Sequence, residues 1–76
     1  MVVGKLVFDR NLMGRLVKQR RRLEETGVTS LDFEESTKTF LARVVGEEEA
    51  VARSVSLMLE LADGCGFYMG NHTMDN

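Results

Sequence analysis

The chain has 76 residues and contains no proline and no tryptophan; cysteine, histidine and tyrosine occur once each. Each scarcity removes a class of function. A lone thiol, Cys65, cannot close an internal disulfide, which fits a reducing compartment. A Cys65–His72 nucleophile pair would need both side chains on a rigid support with a third group to orient them, and a Gly-rich tail offers none. The set Asp63, Cys65, His72 and Asp75 follows no recognised metal-ligand spacing, and zinc normally takes more Cys or His. Neither a glycine-rich phosphate loop nor a dinucleotide fingerprint is present. No apolar run approaches the roughly 18 residues of a membrane helix. The start "MVVGKLVFDR" lacks the charged front and cleavage site of a secretory signal, so "NHT" at 71–73 is read as a chance sequon. These absences predict a cytoplasmic protein that is not an enzyme and has no cofactor and no metal.

What is present suits a folded globule: 43% of residues are apolar and 29% charged. The length allows one domain. Below about 70–80 residues a lone core rarely supplies more than 3–5 kcal/mol, so association with a second copy is the expected way to finish it.

The apolar pattern predicts a mainly α fold, a small three-helix domain with helices near residues 10–25, 30–45 and 47–63. Residues 1–8 read as an extended arm or short strand, 9–64 as the helical body, and 65–76 as a Gly-rich tail. Asp9 is placed as an N-cap, with Phe8 and Met13 spaced as a hydrophobic staple and Gly27 as the C-terminal stop. In the second segment Thr29 and Asp32 imitate a capping box, and Phe33, Thr37, Phe40, Leu41 and Val44 form a helical stripe. "TKTFLARVV" is also β-branched enough to be a strand. Glu47, Glu48 and Glu49 favour a helix start by their charge. The tail holds a short extended piece around Phe67 to Met69, and its pairing with the N-terminal "VVGKLVF" is left open.

Charge is divided unevenly. Residues 1–23 carry seven basic side chains against one acid, or +6, while residues 24–76 carry three against eleven, or −8. On the first helix Arg15, Lys18 and Arg22 fall opposite the apolar stripe, Arg21 lies at its margin, and Arg20 falls inside it, aimed at a neighbouring element. The outward charges offer a phosphate-binding face. Against that, Glu24 and Glu25 can pair with the arginines, no aromatic is interleaved, and the isoelectric point is about 5.3. A faint helix-turn-helix cadence in "FLARVVGEEEAVARSV" would aim three carboxylates at a polyanion.

The third helix is apolar over most of its circumference. Val51, Val55, Met58, Leu59 and Ala62 cover one face, and Ala50, Leu57 and Leu61 extend the apolar sector around the side, so this helix is expected to carry self-association through Leu57, Met58 and Leu61. Met69 and Met74, with Phe67 and Tyr68, offer a soft contact strip. The preferred reading is therefore a homodimeric protein-binding module, an adaptor, inhibitor or regulator. It would meet its protein partner through Arg15, Lys18, Arg21, Arg22, Phe67, Tyr68 and Met69. The second reading is a nucleic-acid-binding regulator using the basic face of the first helix.

Overall fold

The computed structural model describes residues 1–73, and the side chains of residues 1–70. It replaces the expected three-helix, all-α domain with an α/β fold built on a four-stranded antiparallel sheet. The chain runs β1 (Val2–Asp9), a 3-10 turn (Arg10–Leu12), α1 (Met13–Lys18), α2 (Arg20–Glu24), β2 (Ser30–Glu35), β3 (Thr39–Gly46), α3 (Glu48–Leu61) and β4 (Gly66–Thr73). The strand order is β2-β3-β1-β4. With α1–α2 linking β1 to β2 and α3 linking β3 to β4, this is the split β-α-β arrangement used twice.

The segment expected as the second helix is instead the β2–β3 hairpin, closed by the Ser36 amide donating to the Thr39 carbonyl at 2.8 Å. Alternation decides it. Phe40, Ala42 and Val44 are buried while Leu41, Arg43 and Val45 point the other way, a period of two. β3 pairs on both sides, with Phe8 opposite Phe40 and Glu35 on its other flank. The supposed capping residues have other partners: the Thr29 amide donates to the Val45 carbonyl at 2.7 Å, and the Ser30 hydroxyl to Asp32 Oδ2 at 3.3 Å.

Local signals at the first helix held in part. Asp9 Oδ1 accepts from the Asn11 amide at 2.9 Å, and Gly27 adopts φ +96° beyond α2. The single helix expected there is instead broken at Gln19, whose φ of −101° and ψ of 14° separate α1 from α2. Residues 1–8 form β1, and the pairing left open for the tail is made: Val7 lies opposite Phe67 and Leu6 opposite Tyr68.

All three helices lie on one face of the sheet. Leu6, Phe8, Leu31, Phe40, Ala42 and Val44 from the strands share one core with Leu16, Leu23, Val51, Val55, Met58 and Ala62 from the helices. Phe8 stacks on Phe40 at 5.2 Å between centroids, and Phe33 meets Phe40 edge-on at 5.8 Å. The accessible surface is 4890 Å², against roughly 4700 Å² for a compact monomer of this mass. The sheet thus supplies the cover that a three-helix scheme would have needed from a second copy. No helix among the described residues is long and apolar enough to cross a membrane.

Candidate functional site

The face of the sheet turned away from the helices is bare. Cross-strand register sets its side chains in rows, with Asp9 opposite Thr39 at one end and three longer rows behind them. One row runs Glu34, Leu41, Val7, Phe67; the next Asp32, Arg43, Lys5, Gly70; the third Ser30, Val45 and Val3, with His72 placed there by its backbone. An antiparallel sheet with one wet face normally reads apolar-in and polar-out. Here four of the eight outward positions on the central strands β1 and β3 are apolar, Val3, Val7, Leu41 and Val45, and the other four are Lys5, Asp9, Thr39 and Arg43. The apolar four are half-buried and form two pairs on a face that no helix of the chain covers.

Between the two apolar rows, at the centre of the sheet, Lys5 and Arg43 stand directly opposite one another. Like charges in that position destabilise a sheet. Among the described residues neither side chain makes a hydrogen bond or ion pair, although Asp32 is the other register neighbour of Arg43. Phe67, on the edge strand β4, extends the apolar row beside Val7 and is 69% exposed. Met69, at 49%, is the extra residue of a β-bulge where the register shifts between Lys5 and Leu6. Gly70 follows it at φ +94°, a conformation that favours glycine. Tyr68 lies on the helix side of the strand, opposite Leu6.

The residues singled out from sequence do not converge. Arg15, Lys18, Arg21 and Arg22 lie in the helix layer, on the opposite side of the sheet from Phe67. The arginines there are engaged within the molecule. Arg15 Nη1 reaches Asp63 Oδ2 at 3.2 Å and donates to the Leu61 carbonyl at 3.1 Å, tying α1 to the end of α3. Arg10 pairs with Glu35. Arg21 pairs with Glu25 at 4.0 Å, and Arg22 donates to Gln19 Oε1 at 3.4 Å. Lys18 is exposed, with no ion partner among the described residues. Arg20, the one aimed inward, donates to the Leu31 carbonyl of β2 at 2.9 Å, with its guanidinium 6.0 Å from the Phe33 ring centroid. Exposed pairs of this kind contribute about 0–1 kcal/mol each.

Leu57 and Leu61, assigned to self-association, are partly buried and packed against the core, and Met58 is fully buried in it. On the wheel of α3, Leu57 and Leu61 adjoin Arg53, whose guanidinium donates to the Thr26 carbonyl beyond α2 at 3.0 Å. That flank therefore faces the α1–α2 layer. The helix-turn-helix cadence also loses its first helix, since Phe40 to Val45 belong to β3.

Chemistry-bearing groups are sparse. Cys65 is exposed just before β4, its thiol 3.8 Å from the Asp63 carbonyl. Met74 and Asp75 lie outside the described residues, and His72 is described by its backbone alone. Among the described residues no group of three or more His, Cys, Asp or Glu could hold a metal ion. A shallow depression lined by Asp9, Arg10, Asn11, Thr37 and Lys38 opens at the end of β1, where Arg10 is already paired. The chain matches no protein-family model, and no curated protein or solved structure matches it significantly.

The bare face carries no sequence motif and was missed for that reason. Its one signal was alternation in "FLARVV", with Leu41, Arg43 and Val45 interleaved with the buried Phe40, Ala42 and Val44.

Proposed function

We propose that this chain is a small, non-enzymatic protein-binding module working through the bare face of its sheet. The observation that supports the reading is the apolar character of Val3, Val7, Leu41 and Val45 on the two central strands, where a wet face would be polar. A cytoplasmic location belongs to the same proposal and rests on the single unpaired cysteine. The test is affinity capture from the host with the wild type beside two variants. Val7→Glu with Leu41→Glu should lose a partner that Lys18→Glu with Arg22→Glu retains. The opposite pattern would transfer the site to the helix layer.

Homodimerisation stays in the proposal with a different seam. The residues of β4 carry no Asp, Glu, Lys or Arg, and Phe67 and Met69 are exposed along it. The other edge, β2, presents Asp32, Glu34 and Glu35, charges of the kind that discourage edge-to-edge pairing. Light scattering should report a mass above 8.6 kDa at high micromolar concentration. Phe67→Asp should restore the single-chain mass, whereas Leu61→Glu should act through stability instead.

The nucleic-acid reading gains less support. The helix-layer arginines are paired or bridged internally, and the central strands of the bare face hold no aromatic on which a base could stack.

A further inference from the structure

We infer that the bare face receives an acidic amphipathic helix from another protein, its carboxylates meeting Lys5 and Arg43. The inference rests on the reading of this face as the binding surface and adds the chemistry of the partner. Lys5 and Arg43 lie between the Val7–Leu41 and Val3–Val45 pairs, so an occupant that covers the apolar rows must also cover the two cations. Covering them unpaired would leave two desolvated charges, which opposes binding strongly. A carboxylate over the central row removes that cost and also relieves the repulsion of two like charges held opposite each other. Asp32 stands in register with Arg43, but no acid stands in register with Lys5, and a cation left so on a sheet face is the pattern expected where function, and not stability, sets the residues.

The occupant's backbone follows from where it must lie. An extended segment laid flat on a sheet face leaves its own amides and carbonyls unpaired, whereas a helix satisfies them internally. The opposite face is already covered by helices, and helices on both faces of a sheet are a standard layering. Spacing agrees. Val3 to Val7, and Leu41 to Val45, span four residues of strand, about 13–14 Å. A helix aligned with the strands covers about 12 Å from i to i+8. Apolar residues at i and i+8 with a carboxylate at i+4 would fall on the three rows in turn. Asp32 and Glu34 on the β2 flank and Asp9 at one end lie on the same face, so the occupant's carboxylates are confined to the Lys5–Arg43 centre, and a polyanion without apolar content is disfavoured.

The probe is a fluorescein-labelled amphipathic helix of about 16 residues, long enough to hold helical structure. It carries leucines at i and i+8 and glutamates at i+4 and i+5; its control has lysines in place of the glutamates. The expected result is binding of the glutamate peptide, with amide NMR shifts at Val3, Lys5, Val7, Leu41, Arg43 and Val45. Lys5→Glu with Arg43→Glu should weaken that peptide by about tenfold or more and favour the lysine control. These side chains are outside the core, and a melting curve on the variant confirms that it is folded. Equal binding of both peptides by the wild type would overturn the acidic partner and leave the face as a docking surface. If neither peptide shifts the face, the inference is overturned, and if the capture experiment also fails, so is the reading beneath it. Two other occupants would equally overturn it. One is a single-stranded DNA 12-mer that shifts the same residues at physiological salt and is not displaced by the glutamate peptide. The other is a dimer that Lys5→Glu with Arg43→Glu dissociates while the peptide does not compete.

Discussion

Ser54 sits on the buried side of α3 with no exposure, and its hydroxyl has no hydrogen-bond partner. Replacing it with alanine tests how the core is assembled. Leaving a buried hydroxyl unsatisfied costs about 1–3 kcal/mol. Alanine is also the better helix former, by up to about 0.5 kcal/mol at an interior position. Against this stands the loss of one oxygen's volume, about 10–15 Å³, worth roughly 0.3 kcal/mol at the usual cavity coefficient. The net expectation for Ser54→Ala is stabilisation by about 1–2 kcal/mol. In a domain of this size that raises the melting temperature by about 5–10 °C. Urea unfolding followed by circular dichroism should show a higher midpoint with an unchanged slope. Ser56→Ala, on the exposed side of the same helix, should move stability by no more than about 0.5 kcal/mol. A loss of 1 kcal/mol or more in Ser54→Ala would refute the reasoning. It would mean that the hydroxyl bonds inside the fold, the carbonyl one turn back being the obvious acceptor.

Gly66 opens β4 beside the buried Phe8 ring, and a Cβ there would fall onto that ring and within 3.1 Å of Leu59 Cδ2. Gly66→Ala should therefore cost about 1–3 kcal/mol in urea unfolding, and an unchanged midpoint would show that β4 does not begin against Phe8. Arg20→Ala should cost about 1 kcal/mol, because it removes the bond to the Leu31 carbonyl and the contact with Phe33. Arg21→Ala, on a side chain 93% exposed, should cost at most about 0.5 kcal/mol, and equal losses from the two would show that Arg20 does not join α2 to β2.

What could be read from sequence was what neighbouring residues decide between themselves. The Asp9 cap, the Gly27 turn and the run of α3 each depend on contacts within a few positions. The β2–β3 hairpin was hidden by a coincidence of spacing. Phe33, Thr37, Phe40 and Val44 recur at helical intervals, and three of the four, Phe33, Phe40 and Val44, also lie on the inward face of a sheet. Only the residues between them separate the readings: Ala42 is buried, Leu41 and Val45 point outward, and Thr37 lies in the exposed turn. The choice is made by contacts far along the chain, Phe8 against Phe40 and Leu6 opposite Ala42, which no local window contains.

The same limit governs the candidate site. The first 23 residues hold a surplus of positive charge, and sequence drew attention to the arginine run within them. In the fold much of that surplus meets acids from the rest of the chain, Arg10 with Glu35, Arg15 with Asp63, Arg20 with Glu24 and Arg21 with Glu25. Lys5 and Arg43 are 38 positions apart, and each looks unremarkable in its own segment. Antiparallel pairing of β1 with β3 sets them opposite each other, and alternation turns both away from the helices. The least compensated positive charge on the sheet thus belongs to two residues that no charge run contains. Their significance comes from register, since a shift of one position would have turned both side chains into the core.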